Sequence, residues 1–319
     1  MSKPAPNKNP SSRRRHSAYA ATLASRPGSA SLTVSVRWLI AAITSLVIAA
    51  IVCAWLTLCL LFWQGSWQLL YHPTSAVTRT PASIGLSFDV IQFADTPAGV
   101  PQLQGWWIPA SAHARYTVLF LHGATGNLGD TVEDLARLHA TNLDLFAFDY
   151  RGYGQSSFKH PSEARVREDA EAAIVYLTDT RHISASSIVL FGKDLGANLA
   201  LEIAAVHSDF AGVVLENPIA NPVSAIFNDP RARIVPAHAL MRDRWDAHAP
   251  ASNLLIPSLW LYWSPARSMN APDSEPATYQ SVKARKTLVW LADSPDVGND
   301  FSSTLSRWLD DLPANHKLQ

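Results

Sequence analysis

From residue 84 onward the apolar positions fall into short runs separated by amphipathic stretches. Residues 88–93 and 102–108 read as two opening strands joined by a Pro/Gly turn. Further strands are predicted at 116–121, 143–148, 187–191, 212–216, 257–263 and 287–291, each a short, mainly apolar run, with 116–121 reading as a buried strand. Between them, 131–140, 162–177, 195–205 and 301–312 have helical spacing, and Ser162 behind Pro161 stands where an N-cap belongs. Residues 217–253 are Pro-rich and read as a small irregular insertion. The alternation predicts an α/β domain over 84–313, with a mostly parallel central sheet and helices on both faces.

The first third of the chain has a different pattern. Residues 38–63 form an uninterrupted uncharged run with Trp at both ends. As helix it would span about 39 Å at 1.5 Å per residue, enough to cross a hydrocarbon core of about 30 Å with some tilt. A buried soluble helix is rarely so long and so apolar. A cleavable signal peptide has a shorter apolar region and a small-residue cleavage site, which is missing here. The run therefore predicts one transmembrane helix acting as a signal anchor. Residues 1–37, rich in Ser, Ala, Pro and Arg, read as a disordered basic tail, 64–83 as a connector and 314–319 as a short tail.

Charge sharpens the topology. Formal net charge is zero, but seven of the 26 basic residues lie in residues 1–37, which hold no acid. Only Arg79 follows the apolar run before the first acid, Asp89. The positive-inside rule predicts a single-pass protein with a cytoplasmic N-terminus and its large domain outside, in the periplasm of a Gram-negative cell. Beyond residue 37, 19 basic residues face 26 acidic ones, so no nucleic-acid partner is expected. Both cysteines, Cys53 and Cys59, lie in the apolar run, and the exported domain must fold without disulfides or cysteine-bound metal. No cofactor is implied.

Three turns carry candidate chemistry, each at the end of a predicted strand: His122-Gly123, Asp149-x-Arg151-Gly152-x-Gly154, and Gly192-Lys193-Asp194-Leu195-Gly196. The last is a strand–turn–helix elbow with the G-x-S-x-G spacing. Its central residue is expected at positive φ, with glycines where side chains would collide. Together the three turns resemble the α/β-hydrolase superfamily. More narrowly, the chain resembles the membrane-anchored Bem46-like group over about residues 70–313. That likeness rests on Phe120 through Asn127, Arg151 through Ser157, Pro161-Ser162-Glu163 before Asp169-Ala170, and Asp243-Arg244-Trp245-Asp246 ahead of Ile256-Pro257. It implies an α/β-hydrolase fold and a hydrolase with a Ser–Asp–His triad and a backbone oxyanion hole.

Carried over residue by residue, the family's nucleophile position falls on Asp194, its acid position on Ala266 and its histidine position on Asp296. No histidine occurs in the loop 292–300. The oxyanion donors would be the N–H groups of Ala124 and Leu195. Asp194 then has two readings. As a cap, it would accept from those N–H groups at the helix N-terminus, with a lowered pKa. As a nucleophile, like the elbow aspartates of haloalkane dehalogenases and epoxide hydrolases, it would form an ester that needs a histidine base for hydrolysis. His122, His238 and His248 are the candidates, the first expected to shape its turn and the other two to be exposed. Asp273, Asp293, Asp296 and Asp300 read as solvated loop acids, and an Asp194–Asp296 pair matches no metal motif. An unrelated nucleophile such as Thr125 lacks an elbow of its own. The expectation is a membrane-anchored hydrolase-like pseudoenzyme that holds a small molecule or protein partner in a remnant cleft. The alternative is a hydrolase that uses Asp194 on an ester, epoxide or haloalkane.

Overall fold

The computed structural model describes residues 34–227, 229–264, 276–292 and 297–312. The chain divides into two compact units, residues 1–55 and 56–319. Helix α1, Val36–Gly65, runs 30 residues. It is the one helix among the described residues that is long and apolar enough to cross a membrane.

The large unit is built on an eight-stranded sheet. In chain order the elements are β1 (Asp89–Phe93), β2 (Leu103–Ile108), β3 (Thr117–Leu121), α2 (Val132–His139), β4 (Asp144–Asp149), α3 (Glu163–Val175), β5 (Ile188–Lys193), α4 (Leu195–Val206), β6 (Gly212–Glu216), β7 (Ser258–Ser264), β8 (Lys286–Ala292) and α5 (Val297–Asp310). Strand order across the sheet is β8-β7-β6-β5-β3-β4-β2-β1. Strands β1 and β2 pair antiparallel, as do β2 and β4, and every other pairing is parallel.

Period-two alternation divides the core in two. On one face Leu119, Leu121, Phe146, Phe148, Leu190 and Leu215 pack with α3 and α4. On the other, Val118, Phe120, Leu145, Val189, Phe191 and Val214 pack with α2 and α5. All five residues of β3 and of β6 are buried, which accounts for sequences that are apolar except for Thr117 and Glu216. Ser162 caps α3 by accepting from the Arg165 N–H.

The insertion 217–253 departs from the expectation of irregular chain. It contains short helical turns at Ser224–Phe227, Pro230–Arg233, Ala237–Leu240 and His248–Asn253. These are invisible to periodicity because segments of four to six residues are too short to show a 3.6-residue repeat. The insertion is pinned by polar groups as well as by packing. Tyr71 donates to Asp243 at 2.7 Å and accepts from the Trp245 indole at 3.1 Å, while Glu163 accepts from the backbone N–H groups of Arg244 and Trp245.

Candidate functional site

Strand β5 ends at Lys193 and α4 begins at Leu195, so a single residue, Asp194, makes the turn. Its backbone lies at φ +52°, ψ −119°, a sparsely populated region for any residue with a β-carbon. The Asp194 N–H donates to the Glu216 carbonyl at 2.8 Å and its own carbonyl accepts from Ala197 at 3.0 Å, which holds the turn from both sides. The flanking glycines are dictated by space. A β-carbon at Gly192 would collide with the Gly196 carbonyl, and one at Gly196 with the carbonyls of Leu121 and His122.

The turn projects Asp194 into an open cleft of about 570 Å³ that is also lined by His72, Ala124, Thr125, Asp134, Lys193 and Leu195. Gly123 borders the carboxylate closely: a β-carbon there would lie 3.4 Å from Asp194 Oδ2. The cap expectation fails. Asp194 makes no side-chain capping hydrogen bond. An N-cap that reaches the N2 or N3 amide adopts extended backbone, whereas positive φ directs this side chain elsewhere. Nor is the Asp194 pKa lowered. Partial burial raises it, Lys193 pulls it down, and Asp134 pushes it up again, with a net rise. Among the described residues the Asp194 carboxylate has no hydrogen-bond donor, and no histidine nitrogen lies within 4.0 Å of it.

A charge network flanks the elbow. Lys193 donates to Asp134 at 2.7 Å and lies 3.9 Å from Glu216. Burial works against its charge, but Asp134 and Glu216 outweigh it and the Lys193 pKa is raised. Arg137 bonds Asp134 at 2.7 Å and Glu216 at 3.2 Å, and its guanidinium stacks 4.1 Å from the Phe301 ring centroid. The cation beside Asp194 is thus already engaged.

The other two turns are scaffold. His122 is buried, donates from Nδ1 to the Gly123 carbonyl at 2.8 Å, and leaves Nε2 unpaired 3.8 Å from Asp149. Burial lowers its pKa to about 4, so the ring is neutral. Burial likewise raises that of Asp149 to about 7. Tyr150 and Tyr153 donate to the carbonyls of His122 and Ala124 and fix the loop that faces the elbow. Arg151 reaches Asp169 through Nε at 2.5 Å and through its backbone N–H at 2.8 Å, tying its glycine turn to α3. Neither Ala124 nor Leu195 uses its N–H in a hydrogen bond among the described residues.

The remaining candidates separate. His238 is exposed and stacks on Phe227, with ring centroids 3.5 Å apart, and His248 is exposed on the insertion. Neither lines the cleft. Ala266, Asp273, Asp293 and Asp296 lie outside the described residues, as does the side chain of Asp300. His72 was read only as connector, yet it reaches the cleft because residues His72–Pro73 pair parallel with Thr125–Gly126. Its place beside Pro73, with no strand pattern around it, gave no local cue. Among the described residues no group of three or more metal-type side chains converges.

Comparison with known proteins agrees with this geometry. A family model described as alpha/beta hydrolase fold matches residues 116–293. The protein bem46 of Schizosaccharomyces pombe is 34% identical over 110 residues, 34% of this chain and 36% of that protein. Human alpha/beta hydrolase domain-containing protein 17B is 32% identical over 124 residues, 39% of this chain and 42% of that one. The chain thus spans less than half of the length of either of these curated relatives. An esterase from Pyrococcus furiosus superposes with a TM-score of 0.56 at 17% identity, covering 77% of this chain and 99% of the esterase, and shares the fold. With the matched segment running through the elbow and most of the sheet, this chain belongs to the α/β-hydrolase fold family and resembles its Bem46-like members.

Proposed function

We propose that this membrane-anchored member of the family binds a small molecule or a peptide segment in the elbow cleft and has lost the family's serine chemistry. The observation that carries this reading is Asp194, a residue at the nucleophile position with no donor and no histidine nitrogen within 4.0 Å among the described residues. At the remaining triad positions the sequence reads Ala266 and Asp296. A carboxylate without a protein donor favours a ligand that brings its own N–H or O–H. The free N–H groups of Ala124 and Leu195 suit an acceptor atom on the same ligand. The charge asymmetry across 38–63 supports a cytoplasmic N-terminus with the cleft on the opposite side of the membrane, which reporter fusions at each terminus would test.

One observation favours a second reading. His72 lines the same cleft as Asp194, and a histidine near an elbow carboxylate is what hydrolysis of an aspartyl ester requires. In that reaction the carboxylate oxygen attacks an electrophilic carbon, the leaving group departs, and water activated by imidazole then cleaves the ester. The two readings part in one experiment. The full chain is incubated with ester, epoxide and haloalkane panels in heavy-oxygen water, and the peptide containing Asp194 is weighed. The binding reading expects no turnover and no label. Label in Asp194 that is lost in His72→Ala would establish the aspartate route instead. Asp194→Ser alone is expected to restore no serine hydrolase activity, since no base is supplied with it.

A further inference from the structure

The insertion makes a contact that its place in the sequence does not suggest. Ala232, Val235 and Ala237 bury themselves against Cys59 and Phe62, which lie in the last two turns of α1. Val223, Ile226 and Met241 add a second apolar cluster around Phe62, Leu69 and Leu70. Between insertion and helix end lies an apolar groove of about 300 Å³, with Leu58, Leu61 and Phe62 on one wall and Ile234 and Val235 on the other. The outward side chains are solvent-accessible: Leu58, Leu61 and Ile234 are 46%, 58% and 62% exposed. Such a patch on a soluble surface would be a liability.

Depth along α1 says what covers it. The apolar run ends at Trp63, with Gln64 next and Trp67 following, where an aromatic belt marks a membrane–water boundary. Leu58 is five residues before Trp63, so it lies roughly 7 Å inside that boundary at 1.5 Å per residue. Ile234 shares a groove with Leu58 and Leu61 and must share their depth. Exposed Arg233 adjoins it, and Arg242 stacks 4.3 Å over the Trp63 ring, placing cations at headgroup level as in interfacial segments. The same insertion supplies Asn221, Pro222 and Ser224 to the wall of the elbow cleft.

We infer that residues 230–235 form a wedge that enters the outer leaflet beside α1, and that the groove holds a phospholipid acyl chain. The inference rests on α1 being a membrane span. The domain then sits on the lipid surface with its insertion embedded, and the insertion joins the bilayer to the cleft wall.

The test places p-benzoylphenylalanine singly at Ile234, at Leu46 and at Leu255 in the full chain, reconstituted in phosphatidylcholine–phosphatidylglycerol vesicles. Leu46 is an exposed residue of α1, and Leu255 is exposed just before β7, at the end of the parallel strands opposite the elbow. After irradiation, phospholipid adducts are counted by mass spectrometry. Adducts at Ile234 are expected to approach those at Leu46 and to exceed those at Leu255 by roughly tenfold, as burial of an apolar side chain among acyl chains requires. Lipid at Leu46 with none at Ile234 would overturn the wedge and leave the membrane span standing. Absence of lipid at Leu46 would overturn the span and the wedge with it. Adducts from Ile234 to a second copy of the chain would identify a self-association surface and also overturn the proposal.

Discussion

The strain at the elbow is measurable without knowing any ligand. Asp194 sits at φ +52°, ψ −119°, and among the described residues its side chain gains no hydrogen bond in return. Asp194→Gly keeps the backbone bond from residue 194 to the Glu216 carbonyl and removes the β-carbon that makes this conformation costly. Relief of such strain contributes about 1–3 kcal/mol, offset by about 0.4–1 kcal/mol for the greater freedom of glycine in the unfolded chain. A net gain of about 1–2 kcal/mol corresponds to a rise in Tm of about 2–8 °C for a domain of this size. Asp194→Ala is the control, because it deletes the carboxylate and keeps the β-carbon. Thermal unfolding of the full chain in detergent is therefore expected to rank Gly above Ala by most of that gain. The comparison separates backbone strain from the electrostatics of a half-buried acid. If Gly proves no more stable than Ala, the backbone at residue 194 is not strained and the reasoning fails.

Other consequences follow from the scaffold. Tyr71→Phe removes the hydroxyl that bonds both Asp243 and the Trp245 indole and should cost about 1–3 kcal/mol, read as a lower Tm and faster proteolysis within 217–253. Gly196→Ala drives a β-carbon into the carbonyls of Leu121 and His122 and should destabilise by about 1–3 kcal/mol or prevent folding; unchanged stability would contradict the packing described for the elbow. For pH, the two buried groups at the second turn work in opposite directions. His122 is lowered to about 4, so the unfolded chain binds more protons below its ordinary pKa, and acidification from about 6.5 to 4 destabilises the fold. Asp149 is raised to about 7, so the folded chain binds more protons there and the same acidification stabilises it. Asp149→Asn removes the second contribution, and its Tm should fall more steeply over that range than the Tm of the unaltered chain; a parallel slope would refute the assignment.

Much of the fold was legible because its residues act locally or periodically. The mainly apolar runs of β3 and β6 announce strands covered on both faces, and 26 uncharged residues ending in Trp announce α1. The elbow was legible for a steric reason, since only glycine fits at 192 and 196. The insertion was less so. Its helical turns are too short for periodicity, and their partners, Cys59, Phe62, Glu163 and Tyr71, come from distant parts of the chain. His72 was overlooked because a two-residue pairing with Thr125–Gly126 brings it to the cleft, and nothing around it in sequence marks that pairing. Asp194 makes the expected strand–helix turn at positive φ, but it does not cap the helix and its pKa is raised rather than lowered.

The sequence by itself determined the alternation of strand and helix, the long apolar helix and the position of the strand–helix turn. These depend on the spacing of side chains along a few turns or one pleated strand. Only the tertiary structure decided what surrounds Asp194. Backbone at positive φ carries the carboxylate away from the helix amides, burial raises its pKa, and Asp134 engages the neighbouring Lys193. Those outcomes depend on desolvation and on charges contributed by α2, β5 and β6, elements separated by dozens of residues and brought together only when the sheet forms.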